Sequence, residues 1–329
     1  MGYWFFNDGD KGQFQSIPLA KLEANHVRIR ADYSSINYKD ALAVTGKGKI
    51  FRSYPIVPGI DVAGTVSETT SNHYNVGDKV LVTGCGLGET FAGGYQEHVD
   101  VDEAHVIPLP ISFSTLDAML IGTAGFTAGL ALLRMEKLDQ KPDLGPILIT
   151  GASGGVGSFA VRLFSLKGYE VVAQSEKTNK RDYLLSLGAK NVDTLASLHL
   201  GNKPLDTIRF GGGVDSLGGE VLSKMVAQTN LYGNVASIGL AASAKIESTV
   251  MPHILRGASI IGISSANTPR RMREEVWSML SRTLTKENLS LIEHTIINFD
   301  QIPEMAKKFF TREISGRVVV KIASTQDRS

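Results

Sequence analysis

The chain has 329 residues, about two domains' worth of sequence, with 43% hydrophobic and 20% charged residues. Thirty-four Lys and Arg nearly balance 33 Asp and Glu, leaving a formal charge of +1, which excludes nucleic-acid binding driven by bulk charge. One cysteine, Cys85, excludes an internal disulfide framework and any zinc site built from several cysteines. No unbroken apolar run of about 18 or more residues is present to cross a membrane, and the opening MGYWFFNDGDKGQF lacks the basic and apolar regions of a secretion signal. The expectation is a cytoplasmic protein with a reduced thiol.

Up to about residue 120 the chain reads as short strands with frequent turns. His26 to Ala31 alternates as a half-buried strand does, Val57 to Val66 is an apolar segment bent by Pro58 and Gly59, and Asp78 to Thr83 follows a Gly77-Asp78 turn. Ile147 to Thr150 then opens with the wholly apolar run that a parallel strand buried on both faces requires. A glycine turn follows, and Val156, Ala160, Leu163 and Phe164 recur on one helical face until Gly168. Further strands are expected at 170–173, 213–217, 234–238 and 259–263, with helices between them. That alternation implies a doubly wound parallel sheet over residues 122–265. A helix is expected at 269–281, and the last strand, 316–322, returns to the first domain.

The strongest motif is Thr150-Gly151-Ala152-Ser153-Gly154-Gly155-Val156-Gly157-Ser158, placed after a buried strand and opening a helix. A backbone that must approach a pyrophosphate closely has no room for side chains, and the amides and positive dipole end of a helix then hold the negative charge. In that setting the loop reads as a dinucleotide site. An acidic residue about 20 positions beyond the glycines would bind a ribose 2′-hydroxyl and favour NAD. Here Ser175 is followed by Glu176, Lys177, Lys180 and Arg181. Ser175 and the cations can surround a 2′-phosphate by charge-assisted hydrogen bonds, whereas Glu176 argues for NAD. The reading is NADPH; the plain alternative is that these charges are the solvated start of the helix through Asp182 to Leu187.

The same glycines fit a short-chain dehydrogenase, but that family's Tyr-x-x-x-Lys is missing: Tyr169, Tyr183 and Tyr232 are followed four places on by Ala173, Leu187 and Ala236. The sequence instead resembles the medium-chain dehydrogenase/reductase superfamily over its full length, through Pro58 to Gly64 (PGIDVAG), Val76 to Val80 (VGDKV), Gly122 to Ala128 (GTAGFTA) and the Gly151 to Gly157 loop. The resemblance narrows to the zinc-independent quinone oxidoreductase group and its acryloyl-CoA reductase branch, through Ser34 to Leu42 (SSINYKDAL), Thr45 to Ile50 (TGKGKI), Ile121 to Ala128 and Val250 to Arg256 (VMPHILR).

The resemblance implies an α/β protein: a GroES-like β-rich catalytic domain, residues 1–121 and 266–329, plus a Rossmann NADPH-binding domain, residues 122–265. Where zinc relatives place metal ligands this chain has Asn37, Ile60 and Ala124, and its histidines form no i, i+4 pair, so no metal is expected. A reaction without a strong Lewis acid is then implied, namely hydride delivery to the β-carbon of a conjugated carbonyl, with charge developing on the carbonyl oxygen. Tyr38 is the candidate donor, since its counterpart in related enoyl reductases faces nicotinamide and substrate; the other reading is that it only shapes the cleft. Asn37 and Asp40 are candidates to order that segment or to act directly. The resemblance also places Thr127, Leu240, Ser265 and Arg317 at the nicotinamide or its ribose, with a surface strand-end charge as the alternative for Arg317.

A coenzyme A thioester needs cations for its phosphates, and two groups qualify: Lys47, Lys49 and Arg52, or Arg270, Arg271 and Arg273. Each is otherwise a solvated face, and a quinone would need neither. The implied activity is NADPH-dependent reduction of acryloyl-CoA or a similar short enoyl thioester. Its rivals are a broad NADPH:quinone or enone reductase and a non-catalytic NADPH-binding protein. A homodimer paired along the edge strand 259–263 is implied, with no nucleic-acid or membrane partner.

Overall fold

The computed structural model describes residues 1–4, 12–16, 18–311 and 313–322. Two compact units result: Met1–Thr123, Ser265–Ser281 and the chain from Glu293 onward form one, and Ala124–Ser264 with Arg282–Ile292 form the other. The stretch 282–292, expected with the first domain, thus groups with the second unit. There Asn288 Oδ1 accepts hydrogen bonds from Arg162 Nε, at 2.8 Å, and Nη2.

The first unit opens with β1 (Gly2–Trp4) and β2 (Gln13–Gln15), paired antiparallel. β3 (His26–Ile36), helix α1 (Tyr38–Val44), β4 (Asp61–Thr69), β5 (Lys79–Thr83), β6 (His98–Asp102) and β7 (Ile107–Pro108) follow. β3 runs five residues beyond the alternating stretch read from the sequence. The hydropathy pattern fades there because the buried positions are Ser34 and Ser35, whose hydroxyls find acceptors at Asp61. Regular pairing of β4 starts only at Asp61, after the Pro58-Gly59 bend.

Helix α2 (Thr115–Glu136) is broken at Gly122, where φ is 48° and ψ −159°. By length and hydropathy this helix is apolar enough to cross a membrane, although no unbroken apolar run marks it in the sequence; 78% of the apolar window is buried, as in a core helix.

In the second unit β8 (Ile147–Ile149), helix α3 (Gly155–Leu166), β9 (Val171–Gln174), β10 (Asn191–Asp193), β11 (Phe210–Asp215), β12 (Thr229–Ser237) and β13 (Ser259–Gly262) form the expected alternation. Among the described residues the sheet order is β10-β9-β8-β11-β12-β13, every pair parallel. Starting the count at β8 gives the order 3-2-1-4-5-6 of a Rossmann fold, whose switch point lies between β8 and β11. Ile147, Leu148 and Ile149 are fully buried, as a central parallel strand demands.

The chain then returns to the first unit with β14 (His294–Asn298) and β15 (Arg317–Lys321). β15 pairs antiparallel with β3, completing the sheet order β14-β15-β3-β4-β5-β7 with β6 also on β3. The last strand therefore goes where the sequence reading sent it.

Candidate active site

In the second unit, Gly154 caps α3 in an extended conformation, so Gly155, Val156 and Gly157 form its first turn. Their amides have no acceptor within the helix and carry its positive dipole end. A Cβ at Gly157 would lie 2.6 Å from Ala152 Cα, so glycine is required for the helix to sit this close to the loop. The loop is braced from within. Gly151 N–H donates to Gln174 Oε1 at 3.0 Å, and Ala152 N–H to the Gln174 carbonyl at 2.9 Å. Ser158 is fully buried, its amide donating to Gly154 O and its hydroxyl to Ala152 O, so it holds the loop from inside.

On the far side of Gly151, the Thr150 hydroxyl donates to Asp215 Oδ1 at 2.7 Å, and Asp215 Oδ2 accepts the Gly218 amide at 2.6 Å. Burial pushes the Asp215 carboxyl up, and these donors pull it back down.

The 2′-phosphate candidates lie just past β9. Ser175 is buried, its hydroxyl donating to Ser153 Oγ at 3.0 Å and accepting the Lys177 amide at 3.1 Å. Lys177 precedes the short 3-10 turn there and Lys180 ends it. Glu176, the residue that argued for NAD, has Oε1 engaged by Gln174 Nε2 and by the Leu195 amide, both at 2.9 Å. Thr127 is buried in α2, whereas Leu240 is 66% exposed in the loop after β12.

In the first unit, four stretches of chain converge on a buried polar network. Asp61 Oδ2 accepts from Ser35 Oγ at 2.6 Å, Asn37 Nδ2 at 2.8 Å and the Thr123 amide at 2.9 Å, and its Oδ1 accepts from Thr123 Oγ1 at 2.6 Å. Asp40 Oδ2 accepts the Asn37 amide at 2.9 Å, and its Oδ1 the Ile60 amide at 2.9 Å. Arg317 donates to Asn37 Oδ1, Ser35 Oγ, Leu120 O and Met119 O, and stands 4.0 Å from Asp61.

Asp61, Asp40 and Arg317 are all essentially inaccessible to solvent. Two carboxylates face one guanidinium, so one carboxyl gives way: burial, then the charge of Asp61, push Asp40 up to about 7. Gly122 completes the packing. A Cβ there would lie 2.5 Å from Arg317 Nη2 and 2.7 Å from Asp61 Oδ2, and its φ of 48° itself favours glycine.

The sequence candidates thus sort themselves. Asn37, Asp40 and Arg317 come together, and Arg317 is neither a surface strand-end charge nor an open cation: it is the hub of this network. Tyr38, first residue of α1, stays 56% exposed beside the Asn37–Asp40 hydrogen bond. The Ser265 carbonyl accepts from Arg273 Nη2 at 3.0 Å. Arg273 itself, expected on a solvated helix face or at phosphates, is buried and also donates to Thr83 O at 2.6 Å. Asp61, Gly122 and Thr123 were missed as site residues, though all three lie inside the family-like segments 58–64 and 121–128.

A cavity of about 560 Å³ in the same unit is lined by Lys39, Cys85, Glu89, Thr90 and His105, among others. Lys39 and Glu89 pair at 2.7 Å, and burial raises the Cys85 thiol and lowers the His105 imidazole. Among the described residues no three His, Cys, Asp or Glu side chains come together to hold a metal.

Residues 23–111 match the alcohol dehydrogenase GroES-like domain family. The chain is 40% identical to the probable acrylyl-CoA reductase AcuI of Escherichia coli, over 94% of each protein. It is 37% identical to the acrylyl-CoA reductase AcuI of Ruegeria pomeroyi, over 96% of this chain and 97% of that one. The chain belongs to the medium-chain dehydrogenase/reductase family, in its AcuI and quinone oxidoreductase group.

As a member of that group it is an oxidoreductase. The yhdH oxidoreductase of Salmonella enterica, solved with NADP, superposes with a TM-score of 0.93 at 38% identity, covering 98% of this chain and all of that one. The yhfP protein of Bacillus subtilis, solved with NAD bound, superposes with a TM-score of 0.92 at 36% identity, covering 97% and 98%.

Proposed function

We propose that this oxidoreductase uses NADPH to reduce the activated double bond of acryloyl-CoA or a similar short enoyl thioester, acting as a cytoplasmic homodimer. The observation that carries the substrate is the near full-length similarity to the AcuI proteins. Support for the nucleotide comes from the chain itself. The amides of the α3 first turn lack acceptors within the helix, Gly157 lets that helix end sit close against the loop, and Glu176 is drawn off towards Leu195, so that Ser175, Lys177 and Lys180 are assigned to a 2′-phosphate. When bound, NADPH supplies the hydride that the β-carbon receives.

The protein's own part is to bind, orient and stabilise charge. Tyr38 donates its hydroxyl hydrogen bond to the thioester oxygen as negative charge develops there. Asn37 and Asp40 are positioning residues: their hydrogen bond sets the start of α1, where Tyr38 sits. Thr127, Leu240 and Ser265 are assigned to the nicotinamide side on the resemblance. The dimer is assigned to β13, the edge strand of its sheet, whose outer amides need a partner.

The test is loss of NADPH absorbance on mixing the protein with acryloyl-CoA, with benzoquinone and with NADH in parallel. Fast turnover with the thioester and NADPH, lowered at least about tenfold in kcat by Tyr38→Phe, is expected. Turnover with the quinone alone makes the protein a quinone reductase, and bound but unconsumed NADPH makes it a binding protein.

A further inference from the structure

The sequence leaves two basic groups open for the phosphates of a thioester, and the structure separates them. Arg273 is buried with donors on Thr83 O, Thr83 Oγ1, Ser265 O and Ala266 O. Arg270 is held by Glu274, by the Glu103 and Ala104 carbonyls and by the Tyr74 hydroxyl. Only Arg271 of that group is left outward. In the other group Arg52 lies 3.9 Å from Glu89, which also pairs with Lys39.

Lys47 and Lys49 differ from all of these. Both are exposed, and neither has an acidic partner among the described residues. Lys47 is nevertheless not loose. Its Nζ stands 4.1 Å from the centroid of the Phe310 ring, a cation–π contact that favours this position of the ammonium. The Phe310 ring in turn lies 5.8 Å from the ring of Tyr38, tilted by 55°. The segment carrying the lysines is pinned by its backbone: Gly46 N–H donates to Ala43 O, Gly48 N–H to Leu42 O, and Arg52 N–H to Glu89 O. Lys308, two residues before Phe310, is a third exposed cation without an acidic partner among the described residues. Unneutralised positive charge beside the exposed Tyr38 ring and the half-buried Phe310 ring suits a ligand with an apolar arm and an anionic end.

We propose that Lys47, seated on Phe310, and Lys49 bind the phosphate-bearing end of the coenzyme A thioester whose carbonyl lies at Tyr38. The inference rests on the thioester reading above and deepens it. The ammonium groups donate charge-assisted hydrogen bonds to phosphate oxygens, and the Phe310 face flanks the apolar arm that joins phosphates to thioester. A quinone or a short enone has no phosphate, so this pair separates nucleotide thioesters from simpler activated double bonds.

The experiment uses the full-length protein, with coenzyme A and pantetheine as probes. Binding of each is measured by calorimetry for the parent protein, Lys47→Ala, Lys49→Ala and Arg271→Ala, and KM is measured for acryloyl-CoA and acryloyl-pantetheine. The parent should bind coenzyme A more tightly than pantetheine. Each lysine substitution should weaken coenzyme A roughly tenfold, the loss expected for one charge-assisted phosphate contact, while pantetheine changes little. Arg271→Ala should keep the discrimination, and an unchanged melting temperature shows that the lysine variants fold.

The proposal is overturned if Lys47→Ala binds coenzyme A as the parent does, if Arg271→Ala loses as much, or if the parent does not distinguish the two probes. If coenzyme A binds through Lys47 but acryloyl-CoA is not reduced, this site stands and the proposed reaction fails. If acryloyl-CoA is reduced equally well by parent and Lys47→Ala, the reaction stands and this site fails.

Discussion

The glycine loop of the second unit and the buried network of the first achieve order by opposite means. The loop is local: Gly151 to Ser158 are consecutive, and its key requirement is the absence of side chains where α3 meets Ala152. The network is non-local: Ser35, Asn37 and Asp40 meet Asp61, Gly122, Thr123 and Arg317 from stretches up to 282 residues apart. Apart from Gly122, which makes room for Arg317 and Asp61, it works by the presence of side chains, each supplying a donor or acceptor to another. A backbone motif tolerates change around it, whereas a buried ionic network loses several partners when one member goes.

The largest effect should come from Arg317→Leu. It leaves Asp61 and Asp40 buried with no cation, and unfolding in urea should show a loss of about 3–5 kcal/mol. A loss below about 1 kcal/mol would make the network peripheral and erase the contrast with the loop. Gly157→Ala should act on the other side of the comparison. Because its Cβ would lie 2.6 Å from Ala152 Cα, the helix must shift away from the loop. NADPH affinity, followed by fluorescence titration, should fall by about tenfold or more, or about 1.4 kcal/mol.

Asp40 sharpens the comparison through pH. Its carboxyl titrates near 4 in an unfolded chain and is pushed up to about 7 in the fold. Below pH 4 it is protonated in both states and its stabilising share is complete. As pH rises from about 4 to about 7 the unfolded chain has already released the proton, so stability declines, and above about 7 the loss is constant. The groups facing it are Asp61, Arg317 and Tyr95. Melting curves from pH 5 to 8 should show Asp40→Asn gaining on the parent protein, since an amide cannot ionise. Parallel curves would place the titration elsewhere. The smallest effect belongs to the turn after β9, on the nucleotide side of the comparison: Lys180→Ala should narrow the preference for NADPH over NADH severalfold, about 1 kcal/mol, in paired KM measurements.

Legibility followed the same division. The loop, the central strand Ile147–Ile149 and the capping end of α3 could be read from spacing and apolar runs, whereas the edge position of Ser259–Gly262 came from the resemblance. Asn37 and Asp40 were picked out on resemblance, but their partners were not, because nothing local marks Asp61 as the acceptor of four hydrogen bonds. Arg273 and Arg317 show the limit most clearly. An arginine at a helix start or a strand end looks solvated in sequence, and here both are buried because carbonyls and carboxylates from distant segments converge on them.

The sequence by itself determined the alternation of the second unit, the glycine loop and the family, because these rest on periodicity, on residue size and on short consecutive motifs. Tertiary structure alone decided which arginines are structural and which lysines face outward, which carboxyl in the first unit is driven to hold its proton, and why Gly122 cannot carry a side chain. Those properties depend on burial and on which charges meet, and neither exists until strands and helices far apart in the chain have packed.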